Sequence, residues 1–415
     1  MVLTLSSFAA MIETDRTWYL AGEAMKVSVT DDDAIIAYAE LCDMRGLVAG
    51  VVIGLKDGVG SKVVELPSDL HSGYYLLSAY TRDNTQVTQR LVAVVNPLRK
   101  HTDDDMEWVK IEDPDSLSYL ESAVPDGSYS MTNDQWSTFN VRETEGHIIM
   151  ARVKNVNNGK TFEASQISPS MSIVGKQVHY FEGQMVNDST AVFYTFGIHG
   201  KRPLVLSARA ASGESMPIEV ISPFSAILPK QLPHLVFHYQ RSEVETRSLD
   251  MQRHQIAITP AKREAKLGDL SDDTAEDGVP LDYDEVVHGT RPDMSYNLDE
   301  YRQFLTIREA LLEYVMFVRN TRINGVPQLT VRTGEDYNNN LLPSLVLIDG
   351  MPVYNTERLL NYDARRVHYI NIYGGQYTFG NGVFNGLLSF VTRSGRLTNY
   401  PIERNMQYLV YEFPE

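Results

Sequence analysis

The stretch LVLIDGMPV, residues 345–353, decides how the last third of the chain folds. Its first four residues are apolar without a polar break, which predicts a short strand covered on both faces. Asp349 and Gly350 predict a two-residue turn that folds residues 351–355 back as a hairpin arm, because Gly accepts a positive φ without strain. Pro352 has no amide proton for a ladder, so this arm is expected at the edge of its sheet or at the start of its strand.

The acidic composition excludes two classes of partner. The 415 residues include 37 Lys and Arg against 54 Asp and Glu, a formal net charge of −17 at pH 7. Binding nucleic acid requires a basic face that neutralises phosphates, and an electrostatic anchor on anionic lipid requires basic clusters. We therefore expect no nucleic acid, and membrane contact only through a partner or through an anchor that the sequence does not reveal.

Cysteine usage and hydropathy bound the protein further. Cys42 is the single cysteine, so we expect no disulfide framework and no thiolate metal site. It lies in an alternating strand pattern, which predicts a buried thiol. No stretch reaches the ~18 consecutive apolar residues of a membrane helix. Residues 1–10 are apolar and small, and they fit a signal-peptide remnant and a first strand equally well.

Residues 1–95 are predicted to form an antiparallel β-sandwich, since short β-branched and aromatic runs alternate with turns rich in Asp, Gly and Pro. The segments DRTWYLAGE (15–23) and ELPSDLHSGYYLLSAYTR (65–82) resemble the macroglobulin-type MG2 domain. In that domain a Tyr-x-x-Gly-Glu turn follows the first strand, as at residues 19–23. A Ser-Gly-Tyr-Tyr turn opens a late strand, as at residues 72–75. The resemblance implies a macroglobulin-like sandwich that serves as a spacer or adhesion module.

The middle of the chain is predicted to hold a connector, a second sandwich and a linker. Residues 96–145 are polar with Pro-Asp turns, which indicates a connector. Strand patterns return over residues 146–258 and predict a second antiparallel β-sandwich. Residues 259–295 are acidic with few large apolar residues, as is typical of a linker. The acids at residues 272–277 lack the order of a calcium loop, so we expect no metal and no cofactor.

Residues 296–395 are predicted to form an α+β domain, followed by a C-terminal tail, residues 396–415. An apolar stripe at spacings of three and four predicts one amphipathic helix from Leu298 to Arg319, capped by Asn297. Four strand segments follow it. The chain as a whole is thus expected to be mainly β, with two tandem antiparallel β-sandwiches before a mixed sheet with helices.

This C-terminal order resembles the plug domain of TonB-dependent outer-membrane receptors, especially those of Bacteroidetes. In that family a helix and a strand precede a PLVLIDG-P-V hairpin, then come a short helix, an I--I-V strand, a glycine-tyrosine-glycine region and a closing G-I---T-+-G segment. The chain matches at residues 343–353, 367–377 and 386–395. A receptor barrel of 22 strands needs ~9–11 residues per strand, and only residues 396–415 follow. The expectation is a Bacteroidetes cell-envelope protein with an MG2 domain and a plug-like domain that lacks the barrel.

A plug domain without its own barrel implies a partner. The resemblance implies that it docks on or occludes a separate outer-membrane β-barrel protein, in the periplasm or outer membrane of a Gram-negative bacterium. We expect the contacts on exposed turns, where Gly allows close backbone approach and aromatic side chains give rigid contact area. The expected contact residues are Asp349, Gly350, Met351, Pro352, Tyr354, Tyr373, Gly374, Gly375, Tyr377, Phe384 and Asn385.

Catalytic motifs are missing from the sequence. It has no His-Glu-x-x-His and no Gly-x-Ser-x-Gly, and DGVGSK (57–62) predicts a hairpin turn rather than a phosphate loop. We therefore expect a non-enzymatic protein. Three alternatives stay open: a gate of an outer-membrane protein-secretion pore, a periplasmic or surface module that binds peptide or glycan, and a hydrolase assembled from distant segments. An aromatic pocket between the sandwiches favours the binding module.

Overall fold

The computed structural model describes residues 11–82, 87–99, 106–112, 143–157, 159–175, 178–264, 289–323, 326–332, 344–379, 382–395, 397 and 400–415. The fold is mainly β with several sheets and few helices, as predicted. The first strands are β1 (Met11–Thr14), β2 (Trp18–Leu20), β3 (Ala24–Thr30), β4 (Ile36–Cys42), β5 (Leu47–Gly54), β6 (Val59–Glu65), β7 (Gly73–Tyr80), β8 (Thr88–Val95) and β9 (Met106–Lys110). The middle strands are β10 (Ile148–Val153), β11 (Val156–Asn157), β12 (Lys160–Thr161), β13 (Ile167–Ile173), β14 (His179–Glu182), β15 (Gln184–Asn187), β16 (Thr190–Tyr194), β17 (Gly200–Ala210), β18 (Ser215–Met216), β19 (Ile218–Val220) and β20 (Leu235–Tyr239).

The last strands are β21 (Met294–Asn297), β22 (Val318–Ile323), β23 (Val326–Val331), β24 (Leu345–Ile348), β25 (Met351–Pro352), β26 (Val367–Phe379), β27 (Gly382–Thr392) and β28 (Gln407–Phe413). The α-helices are α1 (Arg241–Glu264), α2 (Ile307–Glu313) and α3 (Thr356–Leu360). The 3-10 helices are η1 (Ala164–Gln166), η2 (Leu298–Glu300) and η3 (Ala364–Arg366).

The first sandwich packs a three-stranded sheet, in the order β1-β3-β6, on a five-stranded sheet, in the order β2-β8-β7-β4-β5. Its core side chains alternate along the strands, as in β3, where Met25, Val27 and Val29 are buried. Cys42 ends β4 and is fully buried, which confirms its predicted position. Burial raises the pKa of its thiol to about 12, with the nearby acids Glu40 and Asp43 adding to the effect, so little thiolate forms near neutral pH.

Helix α1 lies on the first sandwich, although residues 146–258 were all predicted to belong to the second. Its Arg247 pairs with Glu23 (Nη2 to Oε2 2.5 Å, Nε to Oε1 3.0 Å) and lies 3.6 Å from the Trp18 ring centroid. One turn further along the helix, Met251 packs on Gly22, whose φ is +89°. The Tyr-x-x-Gly-Glu turn therefore binds a helix of the same chain. The preceding strand β20 pairs in parallel with β9, inside the predicted connector.

The second sandwich packs a four-stranded sheet, in the order β15-β16-β10-β19, on a five-stranded sheet, in the order β14-β13-β17-β18 with β28 also paired to β17. Strand β28 comes from residues 396–415, which were predicted as a tail. It runs antiparallel to residues 200–206 of β17, and its Tyr411 and Phe413 point into the sandwich core. These residues are part of the second sandwich because their alternating aromatic side chains complete its core.

The C-terminal domain is built on a mixed sheet in the order β21-β26-β27-β24-β25, in which only β24 and β27 are parallel. All four residues of β24 are buried, which confirms a strand covered on both faces. Strand β25 is the edge strand, as Pro352 predicted. Helices α2 and α3 pack on this sheet through buried residues such as Ile307 and Leu359.

The predicted helix from Leu298 to Arg319 is wrong, because the span contains η2, then α2 and the start of β22. Asn297 is a cap, as predicted, but of η2, where its side chain accepts from the Asp299 amide at 3.1 Å. A second cap follows at Thr306. Its Oγ1 accepts from the Glu309 amide (3.3 Å), and the Glu309 carboxylate accepts from the Thr306 amide (3.4 Å). This capping box starts a new, short helix.

The two sandwiches meet at a buried polar cluster. Tyr38 of the first sandwich donates to Glu143 (2.7 Å to Oε2) and accepts from Arg82 Nη2 (2.9 Å). His147 Nδ1 lies 3.1 Å from Glu143 Oε1, and its Nε2 lies 2.6 Å from the Tyr411 hydroxyl of β28. Because Arg82 also pairs with Glu143 (3.4 Å), the buried charges are matched. The cluster fixes the first sandwich to the second.

Candidate functional site

The hairpin at residues 345–353 forms as predicted. Asp349 and Gly350 both have positive φ, +46° and +84°, which is the geometry of a two-residue hairpin turn of type I′. The buried Asp349 carboxylate accepts from the amides of Thr392 and Leu397 (both 2.7 Å) and from the Thr392 hydroxyl (2.5 Å). Burial raises the pKa of Asp349 although these three donors favour the ionised form. Asp349 is therefore a structural anchor between β24 and β27.

The hairpin arm is not the exposed partner contact that the sequence predicted. Met351 and Pro352 are buried, and the Asp349 carbonyl accepts from the Gly175 amide of the second sandwich at 3.2 Å. Gly350 packs on Val178, where an added Cβ would lie 2.5 Å from Cγ2. The arm is apolar, and the second sandwich offers it an apolar surface within the same chain. Burial there removes it from any external partner.

Tyr354 also joins the two domains. Its hydroxyl lies 2.7 Å from Ser170 Oγ and 3.2 Å from Ser207 Oγ, on neighbouring strands of the second sandwich. The Arg209 guanidinium stands 4.6 Å from the Tyr354 ring centroid. The ring is half-buried, so one part of Tyr354 is used within the chain and another part faces solvent.

The residues predicted as loops around 373–377 and 381–386 pair with each other as the ends of β26 and β27. Gln376 lies opposite Asn385, and Tyr377 lies opposite Phe384. Tyr373 and Phe384 were predicted to be exposed, but both are buried, with the Phe384 ring 5.8 Å from that of Tyr180. Both side chains turn inward because the second sandwich lies beneath the paired ends of β26 and β27. Gly374, Gly375, Tyr377 and Asn385 are half-buried; residues 380 and 381 lie outside the described residues.

An exposed apolar surface lies on residues 301–317, within the span that the sequence predicted as one amphipathic helix. Large apolar side chains there expose between 39% and 76% of their surface: Tyr301, Leu305, Leu312, Met316 and Phe317. The Tyr301 ring stacks on Tyr314 at a centroid distance of 4.3 Å, which brings the two ends of the segment together. Phe317 has a φ of +65°, a strained value for an aromatic residue. We call these five side chains the apolar surface.

The described residues hold neither a grouped set of metal ligands nor a large cavity between the sandwiches. In the described ranges, no three His, Cys, Asp or Glu side chains are grouped so as to hold a metal ion, and the acids at 272–277 lie outside those ranges. A cavity of about 200 Å³ between the sandwiches is lined by Ile35 and Phe196, which is below the ~300–1,000 Å³ of typical ligand sites. No helix in the described part of the chain is long and apolar enough to span a membrane.

Comparisons with known proteins give distant structural neighbours. No protein-family model and no curated protein sequence matches the chain. A solved biofilm-associated protein BSP domain is 12% identical with a TM-score of 0.18, covering 54% of this chain and 30% of its own. Native Escherichia coli alpha-2-macroglobulin is 11% identical (TM-score 0.20, 53% and 14%), and the Yersinia pseudotuberculosis adhesin InvE is 11% identical (0.17, 54% and 63%). This chain is similar to parts of these proteins in its β architecture, and it spans less than a third of the first two.

Proposed function

We propose that this protein is a non-enzymatic component of a Gram-negative cell envelope, in the periplasm or at the outer membrane. Its C-terminal domain docks on a β-barrel protein formed by another chain in the outer membrane. The two sandwiches hold that domain at a fixed position. The resemblance of residues 296–395 to receptor plugs suggests the kind of partner, and the apolar surface carries the argument that a partner binds here.

The apolar surface supports docking because soluble proteins seldom expose several large apolar side chains on one short segment without a partner. Leu312 and Met316 are at least 60% exposed, in a chain whose formal net charge is −17. Phe317 adds backbone strain, which persists where the surroundings impose it and often marks binding sites. Such a surface, centred on Met and aromatic side chains, has the composition of an interface core.

Docking through the apolar surface differs from the contact that the sequence suggested. The arm at residues 351–354 faces the second sandwich, so the C-terminal domain presents α2 and its flanking turns instead. Strong contacts tie the arm in place, among them the Asp349 and Tyr354 hydrogen bonds. The proposal therefore needs no opening of the chain before the partner binds, and rigid docking is the expected mode.

The test is affinity capture with a tag at the C-terminus, after mild detergent solubilisation of the envelope and identification of co-purifying proteins by mass spectrometry. The variant Leu312→Ser with Met316→Ser breaks the apolar surface. Leu249→Ser with Ile256→Ser is the matched control, because these side chains on α1 are 55% and 73% exposed. We expect a stoichiometric outer-membrane β-barrel with the wild type and with the control, and its loss with the first variant.

Two results contradict the proposal. One is the absence of any barrel protein, with the wild type in the soluble periplasmic fraction. The other is capture of the same barrel by both double variants, because the apolar surface then plays no part in docking. Equal thermal unfolding of the two variants is the required check that neither substitution acts through misfolding.

A further inference from the structure

A polar groove runs along the junction between the second sandwich and the C-terminal domain. It consists of two adjoining cavities, of about 620 Å³ and 480 Å³, which share Arg209 and Tyr354 in their walls. Both volumes lie in the range of small-molecule sites, and domain junctions are frequent places for such sites. We call it the junction groove; its floor is the outer face of β13 and β17, and the exposed Ser168 is among its lining residues.

The groove walls are held in place by hydrogen bonds and stacking. The Ser170 and Ser207 hydroxyls fix the Tyr354 ring through its hydroxyl. Three groups hold Arg209 in place: the Tyr354 ring, the Glu403 carboxylate at 3.9 Å from the guanidinium, and the Gly213 carbonyl, which accepts a hydrogen bond from it. Glu403 in turn accepts from the Asn355 amide at 2.7 Å. A polar site that is supported by such a second layer of contacts is preorganised for a ligand.

Four of the five charged side chains in the groove walls form two ion pairs, and the fifth is Glu182. Arg209 is paired with Glu403, and Arg322 lies 4.0 Å from Glu357. A charged ligand would compete with these pairs and gain little net attraction. Guanidinium, carboxylate and amide side chains line the walls, and each of these groups can hydrogen-bond a polar ligand. The groove therefore suits a neutral ligand with many hydroxyl or amide groups.

The two floor strands, β13 and β17, offer no unpaired edge to an extended peptide. Strand β13 is flanked by β14 and β17, and β17 is paired on its other side by β18 and β28. Strand addition requires an unpaired edge, and peptides that bind otherwise usually insert side chains into apolar pockets. The exposed Ser168 hydroxyl lies on the floor instead, and the exposed part of Tyr354 supplies one aromatic surface. From these observations we propose that the junction groove binds a neutral oligosaccharide. This inference goes beyond the docking proposal and does not depend on it.

The experiment is isothermal titration calorimetry of the full chain with a panel of neutral hexasaccharides: maltohexaose, cellohexaose, xylohexaose and N-acetylchitohexaose. The variant Ser168→Trp fills the groove from an exposed position, with Ser189→Trp in an exposed turn as its control. Arg209→Ala removes a groove wall, with Arg202→Ala on the same strand as its control. We expect at least one hexasaccharide to bind, at least about tenfold weaker binding for both groove variants, and unchanged binding for both controls.

Three results overturn the proposal. The first is no heat of binding from any of the four sugars up to about 5 mM. The second is a sugar that binds Ser168→Trp and the wild type equally, since the groove is then not the site. The third is tighter binding of an acidic oligogalacturonate or of a random peptide pool than of every neutral sugar. Native-like thermal unfolding of Ser168→Trp separates blockage from loss of fold.

Discussion

Replacing Gly350 by Ala is expected to loosen the C-terminal domain from the second sandwich. The residue has a φ of +84°, and an added Cβ would lie 2.5 Å from Val178 Cγ2. The left-handed backbone costs an L-residue about 1–2 kcal/mol, and forcing a methyl group into a packed contact costs about 1–3 kcal/mol. The sum is about 2–5 kcal/mol.

Gly375 provides a matched control within the same domain. Its φ is +72°, and no atom lies within 4 Å of an added Cβ. Gly375→Ala is therefore expected to show the backbone cost alone, about 1–2 kcal/mol. The difference of about 1–3 kcal/mol between the variants measures the contact with Val178 and corresponds to about 5–150-fold in an equilibrium constant.

Hydrogen exchange is the suitable assay, because a chain of several domains does not unfold in one two-state step. Amides of β24 and of residues 173–175 are expected to exchange faster in Gly350→Ala than in Gly375→Ala, by about 5–150-fold. Val178→Ala combined with Gly350→Ala restores part of the protection, because the clashing methyl groups are gone. Equal losses in both glycine variants, or no relief from Val178→Ala, refute the contact as the cause.

Two substitutions and one labelling experiment test other parts of the molecule. Glu143→Gln leaves the buried Arg82 unpaired and is expected to cost about 3–5 kcal/mol of unfolding free energy near neutral pH. Burial raises the pKa of Glu143, but the His147 hydrogen bond and the Arg82 charge outweigh it and lower that pKa below 4.5. The ionised carboxylate thus stabilises the fold above the pKa that Glu143 has in the unfolded chain, and this stabilisation is lost as the pH falls. In urea titrations the unfolding free energy of the wild type is expected to fall more than that of Glu143→Gln between about pH 5 and 3. Arg247→Ala is expected to cost about 1.5–3 kcal/mol, seen as faster amide exchange in α1, since a charged hydrogen-bonded pair is lost. Cys42 is expected to resist iodoacetamide in the folded protein at about pH 8 and to react after denaturation.

Matched controls accompany these changes. Glu145→Gln removes an exposed carboxylate two residues from Glu143, and a wild-type-like acid dependence is expected. Arg253→Ala breaks an exposed ion pair with Asp250 on α1, and its effect is expected within about 0.5 kcal/mol. If Glu145→Gln has the same effect as Glu143→Gln, or Arg253→Ala the same effect as Arg247→Ala, the role given to that buried group is contradicted. Labelling of Cys42 in the folded state contradicts its burial.

The sequence predicts the strand and turn of the C-terminal hairpin, but not what covers it. Four consecutive apolar residues and an Asp-Gly pair are local signals, and the structure follows them at residues 345–350. The surface that covers the arm comes from Val178 and Gly175, far away in the chain. Local patterns say that Met351 is apolar, but they do not say which domain lies beside it. The exposed contacts predicted there were wrong for this reason.

Helix prediction failed in two instructive ways. Ile307 and Val315 belong to the stripe that predicted a long helix, and both are buried, yet only the first is helical. The spacing of these apolar residues indicated which side chains are buried, and not that the whole span is helical. The capping box at Thr306 was the available signal that the helix starts later. Helix α1 was missed because its apolar residues do not form one strong stripe, and Leu249 and Ile256 are exposed. Its signals were charge pairs four residues apart, such as Arg241 with Glu245.

The pairing of β28 with β17 has a consequence for the order in which the protein is made. Residues 200–206 of β17 leave the ribosome long before residues 407–413, and the whole C-terminal domain is synthesised in between. During that interval the second sandwich is one strand short and carries an open edge, which is a site for mispairing. The C-terminal domain must reach a form that brings its two chain ends together before that edge is closed. The second sandwich is therefore completed late, because β28 pairs with β17 only after the C-terminal domain between them has folded.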